Sequence, residues 1–93
     1  LNKVPHIGWN NLIQTNLKWK DTMLDGLSDY AMYFVHSLYC KVKSNEHQLA
    51  TTRYVGVDFA SVIKRDNIFG CQFHPEKSGE SGIQIIKQFL KRD

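Results

Sequence analysis

The sequence holds few of the features that mark specialised classes of protein. Its 93 residues contain two cysteines and two prolines, and Lys and Arg outnumber Asp and Glu by 12 to 9. Two cysteines outside any C-x-x-C pair do not make the disulfide framework of a small secreted domain, and they fit a reducing compartment. The longest apolar run, residues 31–40, contains His36 and Ser37 and is shorter than the roughly 18 residues of a membrane helix. We therefore expect a cytoplasmic chain with no membrane segment.

The positive charge is small and scattered. The formal net charge is +3, and acidic residues separate the basic pairs without a regular pattern of aromatic residues between them. A nucleic-acid surface requires basic side chains that converge on one face, so we expect a solvated surface and no nucleic-acid partner. The basic pairs are Lys18/Lys20, Lys41/Lys43, Lys64/Arg65 and Lys91/Arg92.

The composition is that of a folded chain of limited size. Apolar residues make up 42% of the sequence, as is usual for globular proteins. A complete doubly wound α/β enzyme domain uses about 100 to 200 residues, more than this chain has. The chain starts with Leu1, and a strand-like apolar pattern begins within a few residues. We expect it to be a piece of a larger protein.

The apolar pattern predicts mainly strands. Residues 31–42 are nearly continuous in Tyr, Phe, Val, Leu and Cys, which predicts a central strand covered on both faces. Alternation over residues 49–54 and 55–63 predicts two further strands, with Gly56 as a candidate bulge. Residues 68–73 predict a last strand.

Turn signals separate these strands. The Gly-Trp-Asn-Asn cluster at residues 8–11 favours a turn over a continuing strand, and residues 65–67 favour another turn. Between residues 12 and 27 the pattern is mixed. Asp21 is a candidate N-cap for a helix of one or two turns that ends at Gly26.

The final segment changes to a helical period. Ser78 or Ser81 can cap a helix, and Lys91 and Arg92 suit the negative end of its dipole. The apolar positions of this helix fall on one face, which we expect to pack against the strands: Ile83, Ile86, Phe89 and Leu90.

Residues 73–78, FHPEKS, place polar side chains where a buried strand ends. In an extended segment, residues two apart project to the same side, so His74 and Glu76 can bring imidazole and carboxylate together, and Pro75 restricts the backbone between them. A carboxylate bonded to one ring nitrogen leaves the other nitrogen to take a proton from a nucleophile. We predict a catalytic base with its orienting carboxylate; the alternative is a histidine that satisfies a local hydrogen bond. His6 is predicted in a loop, with no role.

The chain offers no residue with the surroundings of a nucleophile. A nucleophilic cysteine on a strand-to-helix elbow has small residues on both sides, whereas Cys40 lies between Tyr and Lys and Cys71 between Gly and Gln. We interpret both as core-filling residues. Cys71-x-x-His74 and His36-x-x-x-Cys40 have the spacing of metal ligands, but they lie in apolar strands without the turns of a zinc site. We therefore expect no metal and no cofactor.

Three blocks of the sequence resemble one enzyme family. They are residues 5–10 (PHIGWN), 33–37 (YFVHS) and 70–79 (GCQFHPEKSG). In this order they resemble the glutaminase subunits of imidazole glycerol phosphate synthase, which are class I (triad) glutamine amidotransferases. The last block is typical of triad amidotransferases in general, and the first narrows the resemblance to this subunit.

The resemblance implies a fold and an activity. Residues 1–93 would form the C-terminal part of a single flavodoxin-like α/β amidotransferase domain, with largely antiparallel strands and a terminal helix, without the N-terminal half that carries the nucleophile elbow. In this family a cysteine on the elbow attacks glutamine, with His74 and Glu76 as its triad partners, and ammonia passes to a (β/α)8-barrel cyclase in histidine biosynthesis. Such a fragment would be inactive alone, and poorly stable or self-associating because apolar surface is left uncovered.

The resemblance also implies contacts with substrate and partner. His36 and Ser37 match a segment beside the glutamine pocket. The residues that match positions near the cyclase interface are Pro5, Gly8, Trp9, Asn10 and Lys77.

The sequence departs from the family at Leu38, where Tyr is common, and this leaves two alternatives open. One is a paralogous subunit that feeds ammonia to a barrel-like synthase in another pathway, such as one that forms a sugar amidine. The other is a parent protein without its nucleophile that serves only as a binding subunit. A Gly-x-Cys-x-Gly elbow upstream would favour catalysis.

Overall fold

The fold consists of six strands and one α-helix over the part of the chain that the structure describes. The computed structural model describes residues 5–36, 45–66 and 68–91. The strands are β1 (His6–Asn11), β2 (Ile13–Gln14), β3 (Ala31–His36), β4 (Gln48–Tyr54), β5 (Val57–Arg65) and β6 (Ile68–Cys71), and the helix is α1 (Gly79–Lys91). Two 3-10 turns lie at Asn45–His47 and Pro75–Lys77.

The strands form two antiparallel sheets. β1 pairs with β3, and the second sheet has the order β2-β4-β5-β6. The hydroxyl of Thr52 on β4 donates a 2.9 Å hydrogen bond to the carbonyl of Asn11 at the end of β1, which joins the two sheets. The predicted arrangement of antiparallel strands and a terminal helix is therefore confirmed.

The core lies between the sheets and under the helix. Phe34 and Met32 of β3 are fully buried, and Phe34 makes edge-to-face contacts with Phe59 and Phe73, at 5.9 and 5.7 Å between ring centroids. Truncation of such a buried aromatic ring costs about 3 to 5 kcal/mol. The other members of this core are Leu12, Trp19, Met23, Leu24, Leu49, Ala50, Val62 and Ile85.

Two strand predictions need correction. β1 runs straight through the cluster at residues 8–11, and Gly8 pairs with Phe34 while holding φ at +129°, a value that glycine adopts without strain. The predicted covering of both faces of β3 is wrong over its described part, because burial alternates and Val35 is 41% exposed. Residues 37–42 of that prediction lie outside the described residues.

The hairpins follow the sequence pattern closely. β4 and β5 confirm the two strands predicted between residues 49 and 63, and Val55 and Gly56 form the turn between them with φ of 50° and 73°. Gly56 is thus a turn residue and not a bulge. The irregularities of register fall instead around Ala50.

The short helix predicted between residues 12 and 27 is wrong. Asp21 has a positive φ of 63°, which does not suit an N-cap. The Thr22 hydroxyl instead donates to the carbonyl of Trp19 and accepts from the amide of Leu24, so this segment is a series of turns. The Trp19 indole fixes it to β4 by a 2.6 Å bond to the carbonyl of Leu49.

The terminal helix is confirmed, but the face that it buries is not the predicted one. Its buried residues are Ser81, Gly82 and Ile85, and the side chain of Gln88 donates to the backbone carbonyl of Asp25. The predicted apolar face is largely open: Ile83, Ile86, Phe89 and Leu90 are 50, 36, 48 and 66% exposed. Within this face, Phe89 contacts the ring of Phe69 on β6 edge-to-face, at 6.1 Å between ring centroids. No helix among the described residues is long and apolar enough to cross a membrane.

The open face of α1 predicts self-association. Exposed apolar stripes of this kind promote contact between copies, so the isolated 93-residue chain should form oligomers, and the double variant Ile83→Glu/Leu90→Glu should shift it towards monomer. Lys87→Glu, which adds an acid at an exposed polar position of the same helix, is the matched control and should have little effect. Sedimentation velocity measures the distribution. A monodisperse wild-type monomer that unfolds cooperatively would contradict this prediction.

Candidate active site

The structure brings the imidazole ring of the predicted base and its orienting carboxylate together. His74 Nδ1 lies 3.1 Å from Glu76 Oε2, and the two side chains are 40% and 59% exposed. His74 itself is extended, with φ of −105° and ψ of 99°, but Glu76 lies in the 3-10 turn Pro75–Lys77, so the segment is not extended throughout as the spacing argument assumed. Pro75 suits the first position of that turn because it has no backbone N–H to satisfy. The catalytic role of the pair stays a prediction.

The charge on Glu76 favours one form of the imidazole. A backbone hydrogen bond, and then the bond from His74, hold the pKa of Glu76 below its ordinary value of 4.5. The carboxylate is therefore ionised at neutral pH and accepts a hydrogen bond from Nδ1–H. This leaves Nε2 of His74 as the nitrogen that can take a proton from a nucleophile.

The backbone on both sides of His74 is held by β3 and by Ser78. The amide of His74 donates a 3.0 Å bond to the carbonyl of Tyr33. The hydroxyl of Ser78 accepts from the amide of Tyr33 at 2.9 Å and donates to the carbonyl of His74 at 2.6 Å. Sequence reasoning considered Ser78 only as a helix cap and did not consider Tyr33; the partner of a strand-edge amide cannot be identified from local spacing.

Cys71 has the properties of a buried thiol. Burial raises its pKa to about 12, so the thiol is protonated and a poor nucleophile at neutral pH. It packs against the hydrophobic core as a free cysteine. Cys40, the other predicted core cysteine, lies outside the described residues.

His36 lies beside a second histidine. It ends β3 directly opposite His6 on β1, and His6 Nδ1 lies 3.0 Å from His36 Nε2. Ser37, the other residue predicted near the substrate, lies outside the described residues, as does Leu38. The prediction of a loop for His6 is wrong, because the strand β1 includes it.

His6 is the centre of a buried aromatic stack. Its ring is 2% exposed and lies between the rings of Phe34 and Tyr54, at centroid distances of 4.7 and 3.9 Å. Burial, and next the neighbouring His36, lower the pKa of His6 from its ordinary value of 6.5. The Nε2 atom of His6 lies 3.4 Å from the amide nitrogen of Asn10.

The residues predicted near a partner are divided between the two faces of β1. Asn10 points inward and its amide donates a 2.8 Å bond to the carbonyl of Arg53, while Gly8 is half-buried on the same face. Trp9 points outward and is 58% exposed. Pro5 precedes the strand and its carbonyl accepts from the hydroxyl of Tyr54. Lys77 is exposed in the 3-10 turn.

The outward face of the β1–β3 sheet is apolar. Trp9 stands opposite Tyr33, with their rings edge-to-face at 5.7 Å, and Ile7 stands opposite Val35. Ile7 and Val35 are 68% and 41% exposed. We call these four residues the outer face. The sequence reasoning missed Ile7, Tyr33 and Val35, although the alternation of β1 would have revealed Ile7 once the strand was recognised.

Comparison with known families gives one match over nearly the whole chain. Residues 1–92 match the family described as "Glutamine amidotransferase class-I". His74 and the 3-10 turn that carries Glu76 lie inside this match.

Comparison with individual proteins gives relatives that are named as subunits of one enzyme. The chain is 47% identical over 94 residues to "Imidazole glycerol phosphate synthase subunit HisH 1" of Legionella pneumophila (strain Lens), covering 98% of this chain and 44% of the relative. The "Imidazole glycerol phosphate synthase subunit HisH" of Caldanaerobacter subterraneus is 47% identical over 90 residues, covering 95% of this chain and 42% of the relative. That of Buchnera aphidicola is 44% identical over 88 residues, with the same two shares. The chain spans less than half the length of these relatives.

The buried His6 predicts a loss of stability on mild acidification. Because its pKa is lowered in the folded chain, the unfolded state binds a proton first as the pH falls through about 6.5, and the free energy of unfolding decreases until the folded-state pKa is passed. His6→Phe keeps a ring between Phe34 and Tyr54 and removes the titration, so it should flatten this dependence. Urea unfolding midpoints between pH 5 and 8 measure the effect, with His47→Gln as control. An equal slope in wild type and His6→Phe would refute the assignment.

Proposed function

Since this chain belongs to the glutamine amidotransferase class-I family, we propose that it supplies the base and the orienting carboxylate for hydrolysis of glutamine to glutamate and ammonia. The observation that carries the proposal is the 3.1 Å contact of His74 Nδ1 with Glu76 Oε2. It fixes the tautomer and leaves Nε2 as the proton acceptor. The matched family supplies the reaction class, and the pair supplies two of the three groups of a triad.

The remaining group is a cysteine thiol on a segment outside this chain. That thiol loses its proton to His74 Nε2 and attacks the side-chain amide carbon of glutamine, and His74 then gives the proton to the departing ammonia. Water, deprotonated by His74, attacks the thioester, which releases glutamate and restores the thiol. Cys71 does not fill this role, because burial keeps its thiol protonated. The chain is thus the C-terminal part of an amidotransferase domain and is inactive alone.

The ammonia goes to the other subunit of an imidazole glycerol phosphate synthase. The relatives named above carry that enzyme's name as its subunits, and a subunit requires a partner. We take the partner to be a (β/α)8-barrel cyclase of histidine biosynthesis.

The free thiol of Cys71 fits a reducing cytoplasm as the location.

The outer face is the part of this chain that suits contact with the cyclase. Aromatic residues such as Trp and Tyr are enriched at protein interfaces, and here Trp9 and Tyr33 lie beside two further exposed apolar side chains. Lys77 is exposed in the turn that follows His74, which allows a charged contact near the base. We assign His36, at the end of β3, and Ser37, which follows it in the sequence, to binding of glutamine.

A hybrid protein tests the proposed activity. This chain replaces the matching 94 residues of the Legionella pneumophila relative, so that the rest of the domain is present, and glutamate release from glutamine is measured. His74→Ala should lower kcat by at least about 100-fold, because general base catalysis contributes about 10² to 10⁴. Glu76→Gln should lower kcat less, since it removes orientation but not the base.

Two matched variants separate a catalytic effect from a general loss of structure. Cys71→Ala removes the partly buried thiol of this chain's last strand, and His47→Gln removes a histidine from the 3-10 turn Asn45–His47. Both hybrids should keep the wild-type kcat. A wild-type hybrid without glutaminase activity would leave the binding-subunit alternative and refute the proposed catalysis. Activity that depends on His74 but ignores the histidine-pathway cyclase would favour the paralogue.

The outer face predicts a separable effect on the partner. Trp9→Ala in the hybrid should weaken binding of the cyclase, measured by titration calorimetry, by about 2 kcal/mol or more if Trp9 is a central interface residue. Glutaminase activity without the cyclase should stay unchanged. Val55→Ala truncates an exposed apolar residue of the β4–β5 turn and is the control. Equal cyclase affinity in the wild-type and Trp9→Ala hybrids would exclude Trp9 from the interface.

A further inference from the structure

A closed ring of hydrogen bonds surrounds the backbone of His74. The amide of Tyr33 donates to the Ser78 hydroxyl at 2.9 Å, that hydroxyl donates to the carbonyl of His74 at 2.6 Å, and the amide of His74 donates to the carbonyl of Tyr33 at 3.0 Å. Ser78 is 2% exposed, so water does not compete at its hydroxyl. Both backbone polar groups of the candidate base are thereby tied to one residue of β3.

The hydroxyl is the one side-chain group in this ring. The other donors and acceptors belong to the backbone of Tyr33 and His74 and are present whatever the sequence. A hydroxyl accepts and donates at once, which is what the two bonds of Ser78 require. Alanine at this position would leave a buried strand-edge amide without its acceptor, an arrangement that proteins avoid.

Gly82 brings Ser78 into place from the helix side. A Cβ at residue 82 would overlap the carbonyl oxygen of Pro75 and lie 2.8 Å from Cβ of Ser78. Only glycine permits this approach between the first turn of α1 and the 3-10 turn. The amide of Gly82 also donates a 3.2 Å bond to the carbonyl of Ser78. The helix therefore fixes the Ser78 backbone while the Ser78 hydroxyl fixes His74.

We propose that Ser78 is a positioning residue for the His74–Glu76 pair: its hydroxyl sets the backbone of His74 so that Nδ1 meets Glu76 and Nε2 is presented to the nucleophile. This inference rests on the proposed function for its catalytic consequence. The hydroxyl of Ser78 bonds to backbone atoms of Tyr33 and His74, so Ser78 acts through the backbone of the base. Misplacement of a reacting group by about 1 Å costs about 100-fold in rate, so a bond that holds the base has a measurable effect.

The experiment compares Ser78→Ala with Ser81→Ala in the hybrid protein. Ser81 is also buried, at 4% exposure, and lies three residues further along, in the first turn of α1, but its hydroxyl contacts Ser28 at 3.5 Å and not the base. Ser78→Ala should lower kcat by about 10- to 100-fold with KM within about twofold, and Ser81→Ala should leave both unchanged. Chemical shifts of ¹⁵N-labelled histidine should report Nδ1–H as the main tautomer of His74 in wild type and Ser81→Ala, and a mixture of tautomers in Ser78→Ala.

The tautomer measurement does not depend on turnover. If the wild-type hybrid has no glutaminase activity, the proposed function fails, and the shifts of His74 still decide whether Ser78 positions it. Wild-type tautomer and kcat in Ser78→Ala would overturn the inference. If the urea midpoint of Ser78→Ala falls far below that of Ser81→Ala, Ser78→Thr decides: recovery of tautomer and kcat with the restored hydroxyl supports positioning, and failure to recover them overturns it.

Discussion

The arrangement of the site depends on the hydrogen bonds of the Tyr33 backbone to Ser78 and His74. One side of β3 pairs with β1, and the amide and carbonyl of Tyr33 are bonded to Ser78 and His74 on the other side. The candidate base is therefore ordered by a residue 41 positions earlier in the chain, and a short turn could not hold it by itself. The core supports this contact, because Phe34, the next residue along β3, packs edge-to-face against Phe73, the residue before His74. Order at the site is thus a consequence of packing in the core.

The parts of the molecule that could be predicted from sequence are those with local causes. The His74–Glu76 contact depends on two-residue spacing and on Pro75, and it forms even though the chain turns directly after His74. The β4–β5 hairpin and the terminal helix follow from alternation and helical period. Each of these features is settled within one continuous stretch of sequence.

The parts that sequence reasoning missed depend on distant residues. Glycine and asparagine at positions 8–11 favour a turn locally, but pairing with β3 extends β1 through them. His6 acquires its buried place only from Phe34 and Tyr54, residues far along the chain. The period of α1 identifies an apolar face correctly, yet it does not say what covers that face, and the described chain covers a different one.

If the proposed function holds, one missing segment of the domain explains both the open face of α1 and the exposure of the His74–Glu76 pair. The side chains of His74 and Glu76 are 40% and 59% exposed, and a hydrogen bond in that setting competes with water and contributes little to stability. Excluding water strengthens such a bond, because the local dielectric falls. A segment that brings a thiol to Nε2 of His74 has to lie against the turn Pro75–Lys77, from which α1 continues after Ser78. Pro75 of this turn lines one cavity with Ile86 and Phe89 of the helix, so a segment that docks there would cover apolar surface on the helix and remove water from the pair. Stability of the domain and strength of the base would then come from one docking event, and the isolated chain would lack both.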